Sequence, residues 1–230
     1  MLETKTTQPE AMLFDLDGTL FRTETLLLPA YRATFDELRR QGLYSGETPP
    51  EERILSCLGM LLDEIWLRVM PEASAEARAE ADKLLLRYQI EGLHSGEGEL
   101  YEGVAETLRE LQARGIRLFV ASNGLEHYVK HVVEAKRIGV FFEDLYSAGR
   151  FQTRSKVDLV KLLLDHSGVR SAWMVGDRSS DVEAGLRNGL TVAACDYAGF
   201  RAPGELDGAQ LRISRFAELL EHLPAAAQQK

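Results

Sequence analysis

The chain has 230 residues and a formal net charge of −9, and its hydrophobic and charged contents, 45% and 27%, are ordinary for a globular protein. The negative charge argues against nucleic-acid binding, which depends on basic surfaces that neutralise phosphates. No apolar run approaches the roughly 20 residues of a membrane span, and the first residues lack the apolar core of a secretory signal.

The first predicted element is a short buried strand at residues 11–14 that leads directly into Asp15 and Asp17. Positions two apart on a strand share a face, so the two carboxylates lie together. Burying them unpaired would cost several kcal/mol (roughly) each, and a hard divalent cation with oxygen ligands would offset that cost. Gly18 permits a sharp turn, and Thr19 offers a hydroxyl and an N–H there. The alternative is an ordinary Asp-rich turn.

The next segment, residues 21–96, shows helical spacing and no convincing strand. Four helices are predicted here. The first occupies residues 25–40, and the second begins at a capping box at Thr48 and carries Ile54, Leu55 and Leu58. The third occupies residues 60–69, and the fourth is capped by Ser74 and runs to residue 90. Residues 21–24 and the glycine-rich residues 92–99 are the predicted linkers. The second of them is either a hinge or an ordinary surface loop.

From residue 101 onward, predicted strands alternate with helices. Strands are predicted at 116–121, 144–148, 172–175 and 191–194, and helices at 104–115, 125–135, 155–166, 180–188 and 214–223. This alternation predicts a parallel sheet covered on both faces, to which the strand at 11–14 also belongs. The helical segment is therefore an insertion in an α/β core.

Ligands of open α/β sheets bind at the carboxyl ends of the strands. Polar residues follow three of the predicted strands or begin a nearby helix: Asp15, Asp17, Ser122, Asn123, Lys156, Asp177 and Asp181. Each residue also has an interpretation without function. Ser122, Asn123 and Asp181 could be helix N-caps, and Lys156 could be a solvated lysine. Their grouping at one edge of the sheet favours a functional site.

These residues occur in an ordered set of motifs that resembles the haloacid dehalogenase superfamily of phosphohydrolases. Residues 15–20 (Asp-Leu-Asp-Gly-Thr-Leu) match the first motif, residues 122–123 the second and residues 176–181 the fourth. Lys156 is the best match to the third motif, and Arg154 competes with it. The similarity covers residues 11–223, and within the superfamily it is to the phosphoglycolate phosphatase and β-phosphoglucomutase-like subgroup.

The resemblance implies an α/β fold: a Rossmann-like, doubly wound parallel sheet with an inserted all-helical cap of the C1 type. The core would comprise residues 1–20 and 97–230, and the cap residues 21–96.

The resemblance also implies roles for the acidic residues. Asp15 would attack phosphorus and form an aspartyl-phosphate, and Asp17 would be the general acid and then the general base. Mg²⁺ would be held by the Asp15 and Asp177 carboxylates and the Asp17 backbone carbonyl. Asp181 would be a further ligand or would orient the others.

The phosphoryl oxygens would be held by the Ser122 hydroxyl, the Asn123 backbone N–H and the Lys156 ammonium, by the same resemblance. The following helix would direct its N-terminus toward the same anion. Gly124 and Gly176 would support these motifs from neighbouring positions, as Gly18 and Thr19 would support the first.

Asp17 favours phosphate esters, since dehalogenases of the superfamily lack this acid–base aspartate. We expect a small phosphorylated metabolite as substrate, because a closing cap limits access; phosphoglycolate-like compounds, sugar phosphates and nucleoside monophosphates remain open. A phosphosugar mutase is the main alternative and would need cationic cap residues, for which Arg53 and Arg68 are available. A receiver-type phospho-accepting module and a catalytically weak binding protein are the remaining alternatives.

The cysteines, Cys57 and Cys195, are far apart in sequence and form no C-x-x-C pair. Isolated thiols suit a reducing compartment, since disulfide frameworks are typical of secreted chains. We therefore expect a cytoplasmic protein with no membrane partner. The sequence leaves its oligomeric state open.

Overall fold

A computed structural model describes residues 8–60, 62–200 and 202–224. Their strands are β1 (Ala11–Phe14), β2 (Phe21–Arg22), β3 (Glu99–Leu100), β4 (Arg117–Ser122), β5 (Asp144–Ser147), β6 (Ala172–Gly176), β7 (Thr191–Cys195) and β8 (Leu211–Ile213). Their α-helices are α1 (Glu24–Arg40), α2 (Glu51–Leu55), α3 (Leu62–Val69), α4 (Ala75–His94), α5 (Val104–Ala113), α6 (Glu126–Ala135), α7 (Ala148–Phe151), α8 (Lys156–Ser167) and α9 (Ser179–Arg187). None of these helices combines the length and the apolar composition that crossing a bilayer requires.

Six strands form one parallel sheet in the order β5-β4-β1-β6-β7-β8. The central strand β1 pairs with β4 on one side and β6 on the other, so that Phe14 lies opposite Val120 and Val175. The chain first moves outward from β1 to β4 and β5, then returns to build β6, β7 and β8 on the other side. This is a doubly wound sheet, and the predicted α/β fold class is confirmed.

The two faces of the sheet carry separate apolar cores. Met12 and Phe14 of β1 pack in a cluster with α5 and α6, whereas Ala11 and Leu13 pack in a cluster with α8. Strands that are buried on both faces need apolar residues at every position, which is why β1 reads as a continuous apolar run.

The helices α1–α4, referred to as the helical block, follow β1 and β2 in sequence and precede β4. They enclose a core of their own, in which the rings of Tyr31 and Phe35 lie 5.0 Å apart and Trp66 packs close by. The predicted helical insertion is therefore present. Its division from the core at 20/21 and 96/97 stays a prediction, and residues 1–7 and 225–230 of the predicted core lie outside the described residues.

The prediction that no strand lies between residues 21 and 96 is wrong. β2 pairs antiparallel with β3, so that Phe21 lies opposite Leu100 and Arg22 opposite Glu99. Arg22 Nη1 also donates a 2.7 Å hydrogen bond to Glu99 Oε2. A two-residue strand is too short to produce an alternating pattern, so its pairing partner decides its conformation. This ribbon joins the entry and the exit of the helical block.

Three helix ends in the block differ from their predictions. The predicted Thr48 capping box is absent: α2 begins after Pro50, and the Thr48 hydroxyl accepts hydrogen bonds from the Arg39 guanidinium instead. α2 also ends at Leu55, so Leu58 lies beyond it. α4 continues to His94 through the first part of the predicted linker, because packing against α1 outweighs the modest helix cost of a glycine.

The predicted helix at residues 214–223 is also wrong. A 3₁₀-helix at Phe216–Leu220 lies there instead, shortly after strand β8. Phe216 and Leu219 are buried three positions apart, a spacing that α- and 3₁₀-helices share, so the pattern could not distinguish them. The four-residue helix α7 was not predicted either, since it is shorter than the periodicity that would reveal it.

Candidate active site

The predicted site residues meet at the carboxyl edge of the sheet. Asp15 follows β1, Ser122 ends β4 and Asp177 follows β6, and these three strands are adjacent. The backbone N–H of Asp15 still donates to the Val175 carbonyl, at 2.9 Å, which fixes the start of the first motif against β6. Parallel strands therefore deliver side chains from distant parts of the chain to one place.

A buried lysine bridges two aspartates at the centre of the site. Lys156 Nζ donates to Asp15 Oδ1 and to Asp181 Oδ1, both at 2.5 Å, and all three residues are buried. Lys156 is the first residue of α8, whose N-cap Ser155 holds the helix start by accepting from the backbone of residue 158. Arg154, the competing cation in the sequence, is exposed. Lys156 is thus the cation that the fold brings to Asp15.

The third carboxylate of the cluster is only partly satisfied. Asp177 is fully buried, and its Oδ1 accepts a 3.1 Å hydrogen bond from the Thr19 hydroxyl. Its Oδ2 is buried without a hydrogen-bond partner among the described residues. One carboxylate oxygen from each of Asp15, Asp177 and Asp181 lies within 4.8 Å of the others. Arg178 Nε lies 3.6 Å from Asp177 Oδ2, which is an ion-pair distance. Hard carboxylate oxygens that converge in this way fit a divalent cation such as Mg²⁺.

The charges of the cluster are unfavourable without a cation. Burial and repulsion from Asp181 together raise the pKa of Asp15 to about 7, against the attraction of Lys156. Burial likewise raises the pKa of Asp177 well above its usual range, and the neighbouring carboxylates add to the shift. Burial would lower the pKa of Lys156, but its two carboxylate partners outweigh this and hold it above its ordinary value. The cluster holds more negative than positive charge, which again suits a bound cation.

Two glycines allow the carboxylates to lie against the backbone. A Cβ on Gly18, whose φ is +81°, would lie 2.4 Å from Asp177 Oδ2. A Cβ on Gly176 would lie 2.3 Å from Asp181 Oδ2. Any side chain at either position would displace a carboxylate. Steric crowding therefore explains why glycine occupies these positions of the first and fourth motifs.

The Asp17 side chain lies outside the three-carboxylate cluster and has its own partners. Asp17 Oδ1 accepts hydrogen bonds from the Tyr128 hydroxyl and the Thr23 hydroxyl, each at 2.6 Å. Burial raises the pKa of Asp17, while these two hydrogen bonds and the charge of Lys156 oppose the shift. Sequence reasoning missed both partners, because Tyr128 belongs to the apolar face of α6 and Thr23 to a predicted linker.

Ser122, Asn123 and Asp181 are not helix N-caps, so that alternative is wrong for all three. α6 begins at Glu126 with Leu125 as its N-cap, so neither Ser122 nor Asn123 caps it. The Ser122 hydroxyl instead accepts from the Gly124 N–H at 3.0 Å. Asp181 is the third residue of α9 rather than its N-cap.

Asp181 Oδ2 accepts a hydrogen bond from the Arg178 N–H at 2.9 Å, and Asp181 Oδ1 accepts one from Lys156 Nζ. Asp181 therefore joins the start of α9 to the buried lysine.

Two core residues next to the site contact the helical block. Asn123 Nδ2 donates to the Gly59 carbonyl at 2.8 Å, and Arg178 Nη2 donates to the Leu55 carbonyl at 3.2 Å. Arg178 also forms a 3.0 Å ion pair with Glu205. Arg178 was not predicted, since an arginine beside an aspartate in sequence is usually a surface residue.

A cleft open to solvent lies between the site and the helical block. The core contributes a mostly polar floor: Asp15, Asp17, Thr23, Ser122, Asn123, Gly124, Leu125 and Tyr128. The helical block contributes a mostly apolar wall: Leu27, Ile54, Leu58, Gly59, Met60, Ile65, Asp82, Leu85, Leu86 and Gln89. The arrangement can hold an anion at the floor and an organic group against the wall.

Relatives of known name share most of the chain. A 5′-nucleotidase of Pseudomonas aeruginosa is 27% identical over 198 residues, which are 85% of this chain and 86% of that protein. A pyrophosphatase, PpaX, of Bacillus velezensis is 30% identical over 189 residues, covering 80% and 81% of the two chains.

The fold has close structural counterparts. CbbY of Rhodobacter sphaeroides, solved in complex with phosphate, aligns with a TM-score of 0.78 at 26% identity, over 94% of this chain and 99% of that one. A predicted phosphoglycolate phosphatase of Haemophilus somnus shares the fold with a TM-score of 0.80 at 23% identity, over 94% and 98%.

A family model of haloacid dehalogenase-like hydrolases matches residues 12–195. This range begins within β1 and ends with β7, and it includes every predicted site residue. The chain therefore belongs to the haloacid dehalogenase-like hydrolase family.

Proposed function

We propose that this protein is a Mg²⁺-dependent phosphatase that hydrolyses a small phosphomonoester through an aspartyl-phosphate on Asp15. Its family and its phosphatase-named relatives support phosphate-ester hydrolysis. The observation that carries the proposal is the buried Lys156, which bridges Asp15 and Asp181 beside the buried carboxylate of Asp177. Opposite charges arranged in this way can receive both a cation and a phosphoryl group.

The metal would be held by the Asp15 and Asp177 carboxylates and by the Asp17 backbone carbonyl. When bound, the ion neutralises charge on the nucleophile and on the phosphoryl oxygens. Asp181 would hold the Lys156 ammonium beside Asp15 through its hydrogen bond to Lys156.

In the first step, an oxygen of Asp15 attacks phosphorus and the bond from phosphorus to the alcohol oxygen breaks. Asp17 donates its proton to the departing alcohol oxygen. The Ser122 hydroxyl, the Asn123 N–H and the Lys156 ammonium hold the phosphoryl oxygens during the transfer. Positioning and electrostatics then account for most of the rate, as in other phosphoryl transfers.

In the second step, Asp17 takes a proton from a water molecule, whose oxygen attacks the phosphorus of the aspartyl-phosphate. The bond from phosphorus to Asp15 breaks, inorganic phosphate leaves and Asp15 is again a free carboxylate. The hydrogen bonds from Tyr128 and Thr23 keep the Asp17 carboxylate oriented for both proton transfers.

We further propose that the helical block closes over the site as a cap. It lines the cleft from above and contacts the core through Asn123 and Arg178. Closure would exclude bulk water from the phosphoryl group and admit only small substrates.

The cleft argues against the mutase alternative. A mutase must hold a second phosphate, yet Arg53 and Arg68 are exposed and neither lines the cleft. Arg53 Nη1 instead donates to the Val69 carbonyl at 3.2 Å. Membership of a hydrolase family argues against the receiver-type module.

The test is phosphate release by the purified protein from 4-nitrophenyl phosphate and from a broad panel of phosphorylated metabolites. Release should stop with EDTA, recover with Mg²⁺ and fall by at least about 10³-fold in Asp15→Asn. Asp36→Asn, the same change at an exposed position of α1, is the matched control. Full activity in Asp15→Asn would contradict the nucleophile assignment, and isomerised hexose phosphate without free phosphate would favour the mutase.

A further inference from the structure

We propose that the alcohol part of the substrate carries no second anionic group and presents a hydrogen-bond donor to Asp82 and Gln89. The enzyme would then select uncharged or amine-bearing phosphomonoesters over those with a carboxylate or a second phosphate. This inference rests on the proposed phosphatase function and specifies its substrate class.

The selecting surface is one face of α4. Asp82, Leu85, Leu86 and Gln89 all line the cleft and are spaced by three, one and three residues. That spacing places them on a single face of the helix. The face therefore presents an apolar middle between two polar groups.

Asp82 places a carboxylate in a mostly apolar wall. Its Oδ1 accepts a 3.2 Å hydrogen bond from Trp66 Nε1, and it forms no ion pair with any described residue. The indole satisfies one oxygen and fixes the carboxylate beside the cleft. The acidic group is thus left to interact with whatever occupies the cleft.

Gln89 is buried, being 8% exposed, yet its side chain makes no hydrogen bond to another described residue. Gln89 lines the solvent-open cleft, so its amide can take a hydrogen-bond partner there. A ligand or a water molecule in the cleft can supply it. Its amide also tolerates hydroxyl, amide and amine groups, since it both donates and accepts.

The cleft has no counter-charge for a second anion. None of the described residues that line it is Lys, Arg or His. Arg68 is exposed and contacts the rim residue Met60 from outside the lining, with its Nη1 3.9 Å from the sulfur. A second phosphate or carboxylate would lose its hydration against apolar side chains and face the Asp82 carboxylate, which disfavours binding on both counts.

The dimensions suit a compact alcohol. Gln89 lies five residues before the end of α4 at the hinge side, and Asp82 lies about 10 Å further along the helix, at 1.5 Å per residue. An alcohol held at the floor through its phosphate would extend past Leu85 and Leu86 with its donor toward the wall.

The inference can be tested with three aryl phosphates that differ only in the para substituent: 4-(aminomethyl)phenyl, 4-(hydroxymethyl)phenyl and 4-carboxyphenyl phosphate. We expect kcat/KM for the amine and the alcohol to exceed that for the carboxylate by at least about tenfold. Asp82→Asn should reduce this ratio to about threefold or less, because it removes the charge and keeps the shape. Asp82→Lys should reverse the order.

Two control variants separate local from general effects. Asp36→Asn removes an exposed carboxylate of α1 and should keep the wild-type ratio. Arg68→Ala should keep it too, because Arg68 lies outside the cleft lining; a loss of activity toward the carboxylate in this variant would contradict the inference. Far-ultraviolet circular dichroism establishes whether each variant is folded. If Asp82→Lys does not fold, the ratio of kcat/KM values in Asp82→Asn is the deciding measurement.

Equal rates on the three esters, a preference for the carboxylate, or an unchanged ratio in folded Asp82→Asn would each overturn the inference while leaving phosphatase activity intact. Hydrolysis of none of the esters in Mg²⁺ would overturn the proposed function and this inference with it. Asp15→Asn measures any contaminating phosphatase and sets the background.

Discussion

The Tyr128 hydroxyl donates a 2.6 Å hydrogen bond to Asp17 Oδ1, joining a residue of α6 to the turn after β1. The pKa of Tyr128 lies well above its usual range, because the ring is buried and Asp17 is close. Tyr128 is therefore a neutral donor rather than a proton source. We interpret it as a positioning residue for the acid–base aspartate.

Tyr128→Phe should lower kcat by about tenfold to a hundredfold with a smaller change in KM, because Asp17 loses an orienting bond. The loss should be larger for an alkyl phosphate than for 4-nitrophenyl phosphate, whose leaving group needs no proton. Tyr44→Phe, which removes an exposed hydroxyl bonded to a backbone carbonyl, is the control. Equal losses on both substrates would indicate a general structural effect instead.

Asp17→Asn should separate the two steps of the reaction. With 4-nitrophenyl phosphate we expect a burst of about one equivalent of nitrophenolate and then a stall, since water is no longer deprotonated. Rapid-quench kinetics would detect the burst, and mass spectrometry of the quenched protein would locate phosphate on Asp15. Steady turnover without a burst would contradict the role of Asp17 as base.

Mg²⁺ should raise the melting temperature of the wild-type protein, since a ligand that binds only the folded state stabilises it. Asp177→Asn should largely abolish this shift and require a higher Mg²⁺ concentration for activity. Differential scanning calorimetry across a Mg²⁺ titration measures both proteins. An identical shift in the two would show that the ion binds elsewhere.

Lys156→Met should destabilise the protein by about 3–5 kcal/mol in EDTA, because it leaves Asp15 and Asp181 buried without their counter-charge. Urea denaturation gives the free energy of unfolding. Lys130→Met, which breaks an exposed pair with Glu126, should change the free energy of unfolding far less, because solvent screens exposed ion pairs. Similar values for the two variants would refute the central role of the buried pair.

Asp82→Asn should stabilise the protein at neutral pH. Burial raises the pKa of Asp82 despite the Trp66 hydrogen bond, so the folded state binds the proton more tightly than the unfolded state does. Stability is therefore lost as pH rises through these two pKa values, and the variant avoids that loss. We expect a gain below about 1 kcal/mol at pH 7 that disappears in acid. Thermal melts of both proteins at pH 7 and in acid measure this difference in stability. A less stable Asp82→Asn variant at pH 7 would contradict the expectation.

The sequence was most informative where chemistry and local structure coincide. Asp15, Asp17 and Asp177 follow apolar strands, and a parallel sheet brings such strand ends together. The inserted helices were predictable from their periodicity. These features depend on neighbouring residues in the chain and need no knowledge of distant contacts.

The parts that sequence reasoning missed depend on tertiary contacts. Tyr128 has the ordinary spacing of a buried helix residue, and only the fold shows that its hydroxyl reaches Asp17. Asp82 has the pattern of a surface charge on a long polar helix, and the ribbon of β2 and β3 consists of pairs too short to leave a pattern. Such residues acquire their roles only when separate elements meet.

The hydrogen bonds that Asn123 and Arg178 donate to the helical block both end on backbone carbonyls, those of Gly59 and Leu55. Opening the cleft would break these hydrogen bonds. A ligand that orders Asn123 or Arg178 would therefore favour closure of the cleft, and closure would favour binding of that ligand to the same extent. Leu58 and Met60 of the same segment line the cleft with their side chains. Because backbone atoms provide the attachment, these side chains can be exchanged to reshape the substrate space without removing the bonds that hold the segment in place.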